Sequence, residues 1–459
     1  MEFHKVSDII IVGAGNAGLP AAIRAKELEP ETEVTVIEVH STLASSLLMK
    51  TKYALHFTGT ELQKSLGIED SPELLCKDGV AAGGDPELWK AYTERNPWLF
   101  NWLRKMGINP MLNEISTGSI FSRPRIHWFN GPHLINTLYK EAKNRGVEIL
   151  FKHRGIRLIT KPETRRVIGI KVQSDGKELN FKARKAVILT TGGFGRNNEL
   201  IEEFGSQWAG LCIPVLPPTH MGDGLKMALD LGAATKNISD AVVPSRSVNV
   251  DAKRLTHIDT AGAIAVDPRG KRFFNEACPR GFYGDLTAAA IKLIPEKYFW
   301  LIYDEKIKQS VSPEEYQGLK VYEGRTIEEL AENAGINPVE LKNTVDKYNS
   351  DLSTFGYDTL FGRKTLNGDY GTPIKIDTPP FYAMKCTASF TSFKGGVRIN
   401  AKCQVLNWFN EVIPSLYAAG EIAGGFFSKG LYIGSWVTIA LTTGVIAGEN
   451  AIREPALPE

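Results

Sequence analysis

The sequence predicts an α/β fold in which both ends of the chain build one parallel-sheet domain and the middle supplies an inserted α+β domain. Three observations lead there. An apolar strand near the start runs into a glycine-rich turn and a helix. The same design, a strand ending on glycine, returns before Gly192 and again before Gly420. From about residue 239 the chain changes to shorter strands and helices with more turn residues, and strand-like runs return near Tyr382. With 459 residues the chain exceeds the size at which one hydrophobic core stops growing, so two structural units are expected. The expected boundaries are 1–238 and 389–459 for the split domain and 239–388 for the insertion.

Residues 7 to 40 read as a βαβ unit: the strand DIIIVG, a helix from Gly15 to about Leu28, and the strand EVTVIE. Residues 84 to 107 read as a helix with Asp85 as its N-cap and large apolar residues at helical spacing. HLINTLYKEAKNRG is a further helix, stopped by glycine. Then VEILFKHRGIRLIT, RRVIGIKVQS and ELNFKARKAVILTTGG alternate like strands, with turns at Lys161–Thr164 and Asp175–Lys177. The chain closes with a helix from Trp436 to Asn450.

Composition narrows the function classes. The formal charge of +2 gives no warrant for a nucleic-acid partner or an acidic membrane surface. The start carries no basic segment followed by an apolar stretch and small-residue cleavage site, so no secretory signal is expected and a cytoplasmic location is. No run approaches the roughly 18 to 20 apolar residues of a bilayer span. Cys76, Cys212, Cys278, Cys386 and Cys403 are scattered and form no C-x-x-C pair. That spacing argues against a disulfide framework, a metal site, an iron–sulfur cluster and an attached haem.

Gly13-Ala14-Gly15-Asn16-Ala17-Gly18 follows a strand and opens a helix. Gly13 permits the tight turn, Gly15 lets the backbone approach a pyrophosphate, and Gly18 lets the helix pack closely on the strand. The helix N-terminus then offers free N–H groups to phosphate. Glu38 ends the next strand, about 20 residues on, where an acid bonds adenosine ribose hydroxyls and repels a 2′-phosphate. This fingerprint leaves NAD and FAD open. Three glycine turns, the later two at Thr190-Thr191-Gly192-Gly193 and Ala418-Ala419-Gly420-Glu421, suit a long ligand.

These segments, together with G-D-G-L-K-M-A-L-D-L-G-A, R-G-K-R-F-F-N-E and L-Y-A-A-G-E, resemble the flavoprotein subunits of fumarate reductase and succinate dehydrogenase. The 3-ketosteroid dehydrogenases belong to the same superfamily. The resemblance implies a Rossmann-like FAD-binding domain of the glutathione-reductase type, with a capping domain that closes over substrate at the isoalloxazine ring. By matching positions, Glu38 holds the adenosine ribose, Gly192 and Gly193 lie by the adenine end, and Asp223 contacts the cofactor region. Glu421 binds the ribityl chain, with Gly420 in the turn before it. Ser435 and Trp436 open a helix whose N-terminus faces the flavin's pyrimidine ring, where its dipole favours the anionic reduced form. The segment Ser41–Leu48 lacks the family's paired glycines, and no histidine stands in the pattern that tethers FAD, His40 coming too early. The implied cofactor is noncovalent FAD.

The substrate end departs from fumarate reductases. Their Thr-Glu pair falls on Leu255-Thr256, a histidine before Gly-Gly is replaced by Ser392, and a carboxylate-binding arginine aligns near Leu431. Fumarate and succinate are therefore not the expected substrates. Arg280 stands where those enzymes carry the arginine that protonates substrate, and where steroid dehydrogenases carry a tyrosine base. Three roles stay open for it: proton donor, anchor for a substrate carbonyl or carboxylate, or structural partner of Glu276. Tyr432, Tyr283, His257 and Lys429 are further candidates for a catalytic or hydrogen-bonding role; a lone histidine in an inserted domain such as His257 is more often structural, and Tyr432 and Lys429 are equally readable as surface residues.

The expectation is an enzyme that reduces or forms a carbon–carbon double bond next to a carbonyl or carboxylate, with arginine at 280 favouring reduction. Electrons must be exchanged with a nicotinamide, a quinone or a partner protein. A 3-oxosteroid-type dehydrogenase is the alternative enzyme. A flavin electron carrier docking to a partner is the alternative of another class, and an inserted domain of this size argues against it.

Overall fold

In the computed structural model the chain divides into two units. One comprises Met1–Ser206, Leu216–Asp240 and Ser392–Glu459, the other Gln207–Val215 and Ala241–Thr391. The structure describes residues 2–43, 52–116, 123–210, 212–214, 216–242, 247–251, 254–256, 258–277, 280–366, 371–390, 392–428 and 434–457.

The first unit is organised by one sheet of eight strands. Its main path runs Gln404–Leu406, Val412–Ala418, Lys177–Leu189, Lys5–Val12, Val34–Ile37 and Glu148–Leu150. Lys5–Val12 is parallel to both neighbours, with Ile10 opposite Thr35 on one side and Val187 on the other. Lys177–Leu189 is also parallel to Val412–Ala418, so it joins the two ends of the chain. Its last residues, Ala186 to Leu189, are fully buried, as are Ile9, Ile10 and Ile11. A continuous apolar run of this kind is what a parallel strand covered on both faces requires. The first half of the same strand turns back through Asp175 and Gly176, both at positive φ, and pairs antiparallel with Val167–Ser174. Two positive-φ residues match the right-handed twist of a tight hairpin.

Two helices flank the joint on one face. The first, Gly18–Leu28, packs against the last, Ser435–Ala451, with almost no side chain between them. A Cβ at Gly444 would lie 2.2 Å from the carbonyl oxygen of Ala17, and one at Gly448 would lie 2.3 Å from that of Ala21. The first helix begins at Gly18 rather than Gly15, because residues 15 to 17 are spent on the turn. Asp85 caps Pro86–Lys105 as expected, accepting from Glu87 N at 3.0 Å and Leu88 N at 3.4 Å. One element was not legible: Lys52–His56 pairs antiparallel with Ile126–Asn130. Arg125, at the foot of that ladder, is fully buried, bidentate to Asp70 at 2.7 and 2.6 Å and bonded to Asp78 at 2.6 Å.

The second unit is built on a seven-stranded sheet centred on Phe381–Phe390, which pairs antiparallel with Phe299–Asp304. Its core includes Ile264, Leu301, Ile302, Leu330, Leu341 and Met384. The segment Gln207–Val215 belongs here, although the sequence placed it in the first domain. Its strand Cys212–Pro214 pairs in parallel with Ala388–Phe390, a partner far along the chain. Among the described residues no helix is long and apolar enough to cross a membrane.

The glycine contact between the first and last helices is expected to be intolerant of any side chain, since the opposing atoms are main chain. Overpacking of this sort typically costs about 1 to 3 kcal/mol. Gly444→Ala should lower the urea midpoint by that free energy divided by an unchanged m value. A wild-type midpoint would mean that the helices separate freely.

Candidate cofactor-binding site

Three parallel strands end side by side. Val12 lies opposite Leu189, and Leu189 lies opposite Ala418, so the turns that follow gather at the carboxyl edge of the sheet. This is where open α/β sheets bind ligands. The edge is tied together by Thr190, whose amide donates to Val12 O at 2.9 Å and whose hydroxyl lies 2.9 Å from both Val12 O and Gly13 O. On the other side, Ala419 N donates to Leu189 O at 3.0 Å.

The glycines divide by role. Gly13 sits at φ +113°, and a Cβ there would be 2.5 Å from Thr190 O. A Cβ on Gly18 would be 1.9 Å from Gly13 O. Those two are steric necessities of the turn. A Cβ on Gly15 would meet nothing within 4 Å, so this glycine borders open space in which a ligand can come close. Ala17, the N-cap, provides no side-chain cap, and the first turn of the helix holds no acid; Leu19 N donates to Gly15 O at 3.1 Å and Pro20 has no N–H, so what this helix end offers an anion is its positive dipole. Asn16 Oδ1 is buried beside them without a hydrogen-bond partner.

Glu38 is buried and fixed by main chain: Oε2 accepts from Ala14 N at 2.9 Å and Oε1 from His40 N at 3.0 Å. An ionised carboxylate has about four acceptor positions, so two remain for ribose hydroxyls. Glu421 lies in the turn after Gly420, which has φ +79°. Its Oε1 accepts from the Ser392 hydroxyl at 2.6 Å, and a Cβ on Gly193 would be only 2.3 Å from that atom. Gly192–Gly193 and Glu421 are thus neighbours, although the family resemblance assigned them to different ends of the cofactor. Asp223 forms a bidentate pair with Arg154, both contacts 2.7 Å.

Ser435 and Trp436 open the last helix behind Gly434, at φ +90°, with no side-chain cap and no acid in the first turn. His56 N donates to Gly434 O at 3.2 Å and to Thr438 Oγ1 at 2.9 Å, so the strand Lys52–His56 holds this helix end in place. On the strand paired with it, burial drives the His127 imidazole down to about 4, keeping it neutral. Trp436 Nε1 and Thr191 Oγ1 are further buried polar atoms without a hydrogen bond within the protein.

Among the residues named from the sequence, Gly13, Gly15, Asn16, Ala17, Gly18, Glu38, Gly192, Gly193, Asp223, Gly420, Glu421, Ser435 and Trp436 all belong to the first unit. Arg280 is the first residue of the helix Arg280–Ile291 in the second unit, and Tyr283 lies within it. The side chains of both, together with His257, Cys278, Lys429 and Tyr432, lie outside the described residues. Sequence reasoning missed Thr190, Thr191 and His220. The two threonines stood in the quoted T-T-G-G, and His220 stood just before the G-D-G whose aspartate was singled out.

Comparison with known proteins matches residues 8–430 to the model of the FAD binding domain family. The chain is 32% identical over 461 residues to a fumarate reductase (cytochrome) of Shewanella frigidimarina, covering 98% of this chain and 78% of that protein. The open conformation of a flavocytochrome c3 fumarate reductase superposes with TM-score 0.84 at 27% identity, covering 98% of this chain and 79% of that one. A 3-ketosteroid-delta4-(5alpha)-dehydrogenase from Rhodococcus jostii superposes with TM-score 0.78 at 25% identity, covering 99% and 98%. The residues present fit FAD: an open approach at Gly15, a backbone-oriented acid at Glu38, and unpartnered polar atoms on Asn16, Thr191 and Trp436.

Gly15→Val is expected to leave the apoprotein's melting temperature near wild type, because the space it enters is empty of protein, while abolishing FAD retention. Glu421→Ala should weaken FAD by about tenfold, the value of one hydrogen bond. Fluorescence titration of apoprotein with FAD reads both, and wild-type affinity in both variants would remove this site.

Proposed function

Because this chain belongs to the FAD binding domain family, we propose that it is an oxidoreductase acting on a carbon–carbon bond next to a carbonyl or carboxylate, with a substrate other than fumarate. FAD dependence follows from the family itself. The finer reading rests on what occupies the positions where fumarate reductases handle a dicarboxylate.

The observation that carries it is the fate of two such positions. Thr256 is fully buried, and its hydroxyl accepts from Ile258 N at 3.2 Å, opening the short helix that follows. Ser392 spends its hydroxyl on Glu421. Both side chains serve the protein itself, which leaves two of the polar groups expected around a small dicarboxylate missing.

When bound, FAD supplies the hydride donor or acceptor. The protein's part is to orient the unsaturated substrate, hold its carbonyl oxygen and move a proton at the α-carbon. Arg280 is the residue we assign to the last two tasks. Glu276, its alternative structural partner, is committed elsewhere: it accepts from Arg272 Nε at 3.0 Å and Ala265 N at 2.9 Å, with Arg363 at 3.6 Å. Burial pushes the Glu276 carboxyl up, but the Arg272 and Arg363 charges outweigh it and hold the group below the usual range. An anion so well compensated has no need of a further guanidinium, which favours the acid or anchor reading of Arg280. The uncapped N-terminus of the last helix favours negative charge on the group it faces.

A second reading, formation of a double bond beside a ketone, is favoured by the similarity along the whole length of the steroid dehydrogenase. Reoxidation of reduced flavin by an unsaturated acid or ketone without oxygen supports the first reading, and reduction of oxidised flavin by a saturated ketone supports the second.

With no tethering histidine in the family's pattern, acid precipitation is expected to release FAD to the supernatant, and yellow colour left in the pellet would overturn a noncovalent cofactor. Arg280→Ala is expected to keep its FAD while slowing reoxidation by the true acceptor about 10² to 10⁴ fold, the usual range for a lost general acid. Arg280→Lys should restore little, since an ammonium lacks the planar fork. Unchanged turnover with a lowered melting temperature would instead make Arg280 structural.

A further inference from the structure

The loop from Leu216 to Gly222 is held at nearly every main-chain group. Arg196 donates from Nε and Nη2 to Leu216 O at 2.9 and 2.7 Å, and from its amide to His220 O at 2.9 Å. Asn197 Nδ2 donates to Met221 O at 2.9 Å, and Gly222 N to Gly193 O at 3.2 Å. On its outer side Thr219 Oγ1 meets His40 Nε2 at 2.7 Å, two residues beyond the ribose-binding acid Glu38. The loop therefore spans from the Glu38 strand end to the Gly192–Gly193 turn.

One polar atom on this rigid loop is left over. His220 Nδ1 is buried without a hydrogen bond, and its ring lies over Gly192, with Nε2 3.5 Å from where a side chain there would begin. Nδ1 stands 3.8 Å from Glu421 Oε1. That is beyond hydrogen-bond length for the pair, yet short enough for one hydroxyl group to reach both at normal distances. Burying an imidazole nitrogen with nothing to bond is unfavourable, and an intruding hydroxyl removes that cost.

Resting on the FAD reading above, we propose that His220 and Glu421 form a two-point clamp on one sugar-chain hydroxyl of the cofactor. Glu421 accepts from the hydroxyl and His220 completes its hydrogen bonding from the other side. The loop that carries His220 is latched by His40 and Thr219, so the imidazole arrives prepositioned and no ordering of the loop opposes binding. The hydroxyl belongs either to the ribityl chain or to the adenosine ribose, and the two sources share the same chemistry.

Apoprotein titrated with FAD, and separately with ADP, tests this through flavin fluorescence and calorimetry rather than turnover. His220→Ala is expected to raise the FAD Kd by about tenfold with the apoprotein's melting temperature not lowered, and His220→Gln, which keeps a donor and an acceptor, to recover most of the loss. An unchanged ADP affinity in His220→Ala assigns the hydroxyl to the ribityl chain; a parallel loss assigns it to the ribose. Wild-type FAD affinity in His220→Ala, or a fall in melting temperature with no change in Kd, overturns the clamp. A wild-type protein that binds no FAD at all overturns the underlying cofactor reading instead.

Discussion

The strand Lys177–Leu189 is the piece on which the rest depends. It lies between the first strand and Val412–Ala418, in parallel register with both, and so turns two distant stretches of chain into one sheet edge. Val187, Ile188 and Leu189 are fully buried there, each contributing about 1.5 to 3 kcal/mol of burial. The packing sets position as well as stability. Because the three strands stop at the same level, Gly13, Thr190 and Gly420 follow at the same edge, and Thr190 bonds across to Val12 and Gly13. Removing that strand would leave the Gly13–Gly18 turn and the Gly420–Glu421 turn with nothing to relate them.

A second constraint comes from the helices. Gly444 and Gly448 let the last helix lie directly on the main chain of the first. This brings two uncapped helix N-termini, each without an acid in its first turn, into the unit that also holds Glu38 and Glu421. Positive helix ends suit a pyrophosphate or an anionic flavin, while Glu38 and Glu421 are hydrogen-bond acceptors. Both carboxylates are oriented before any ligand arrives, Glu38 by main-chain amides and Glu421 by Ser392. Preorganised groups of this kind spend little free energy on ordering when the ligand binds.

Substrate choice obeys different physics. Thr256 and Ser392 spend their hydroxyls locally, and Glu276 pairs with Arg272 and Arg363 in a buried charge cluster of the second unit in which Asp358 also pairs with Arg272. A fold shared by fumarate reductases and a steroid dehydrogenase supports either chemistry, and the residues grafted onto it decide which.

The sequence by itself determined what local rules govern. Continuous apolar runs marked the buried strands, Asp85 marked a helix start, Asp175–Lys177 marked a turn, and glycine spacing after a strand marked the tight turn at Gly13 and Gly18. Each of those features is fixed by neighbours within a turn or two, so its signal sits in a short window. Only the tertiary structure decided that Lys52–His56 pairs with Ile126–Asn130, that Cys212–Pro214 joins the strand at Ala388–Phe390, and that Glu276 binds Arg272 and Arg363. It alone brought Gly193 against Glu421 and left His220 facing them. Apart from Arg272, which lies four residues before Glu276, those contacts join residues tens to hundreds of positions apart, where a side chain's partner is set by how the sheet and helices pack and leaves no periodic trace in the chain.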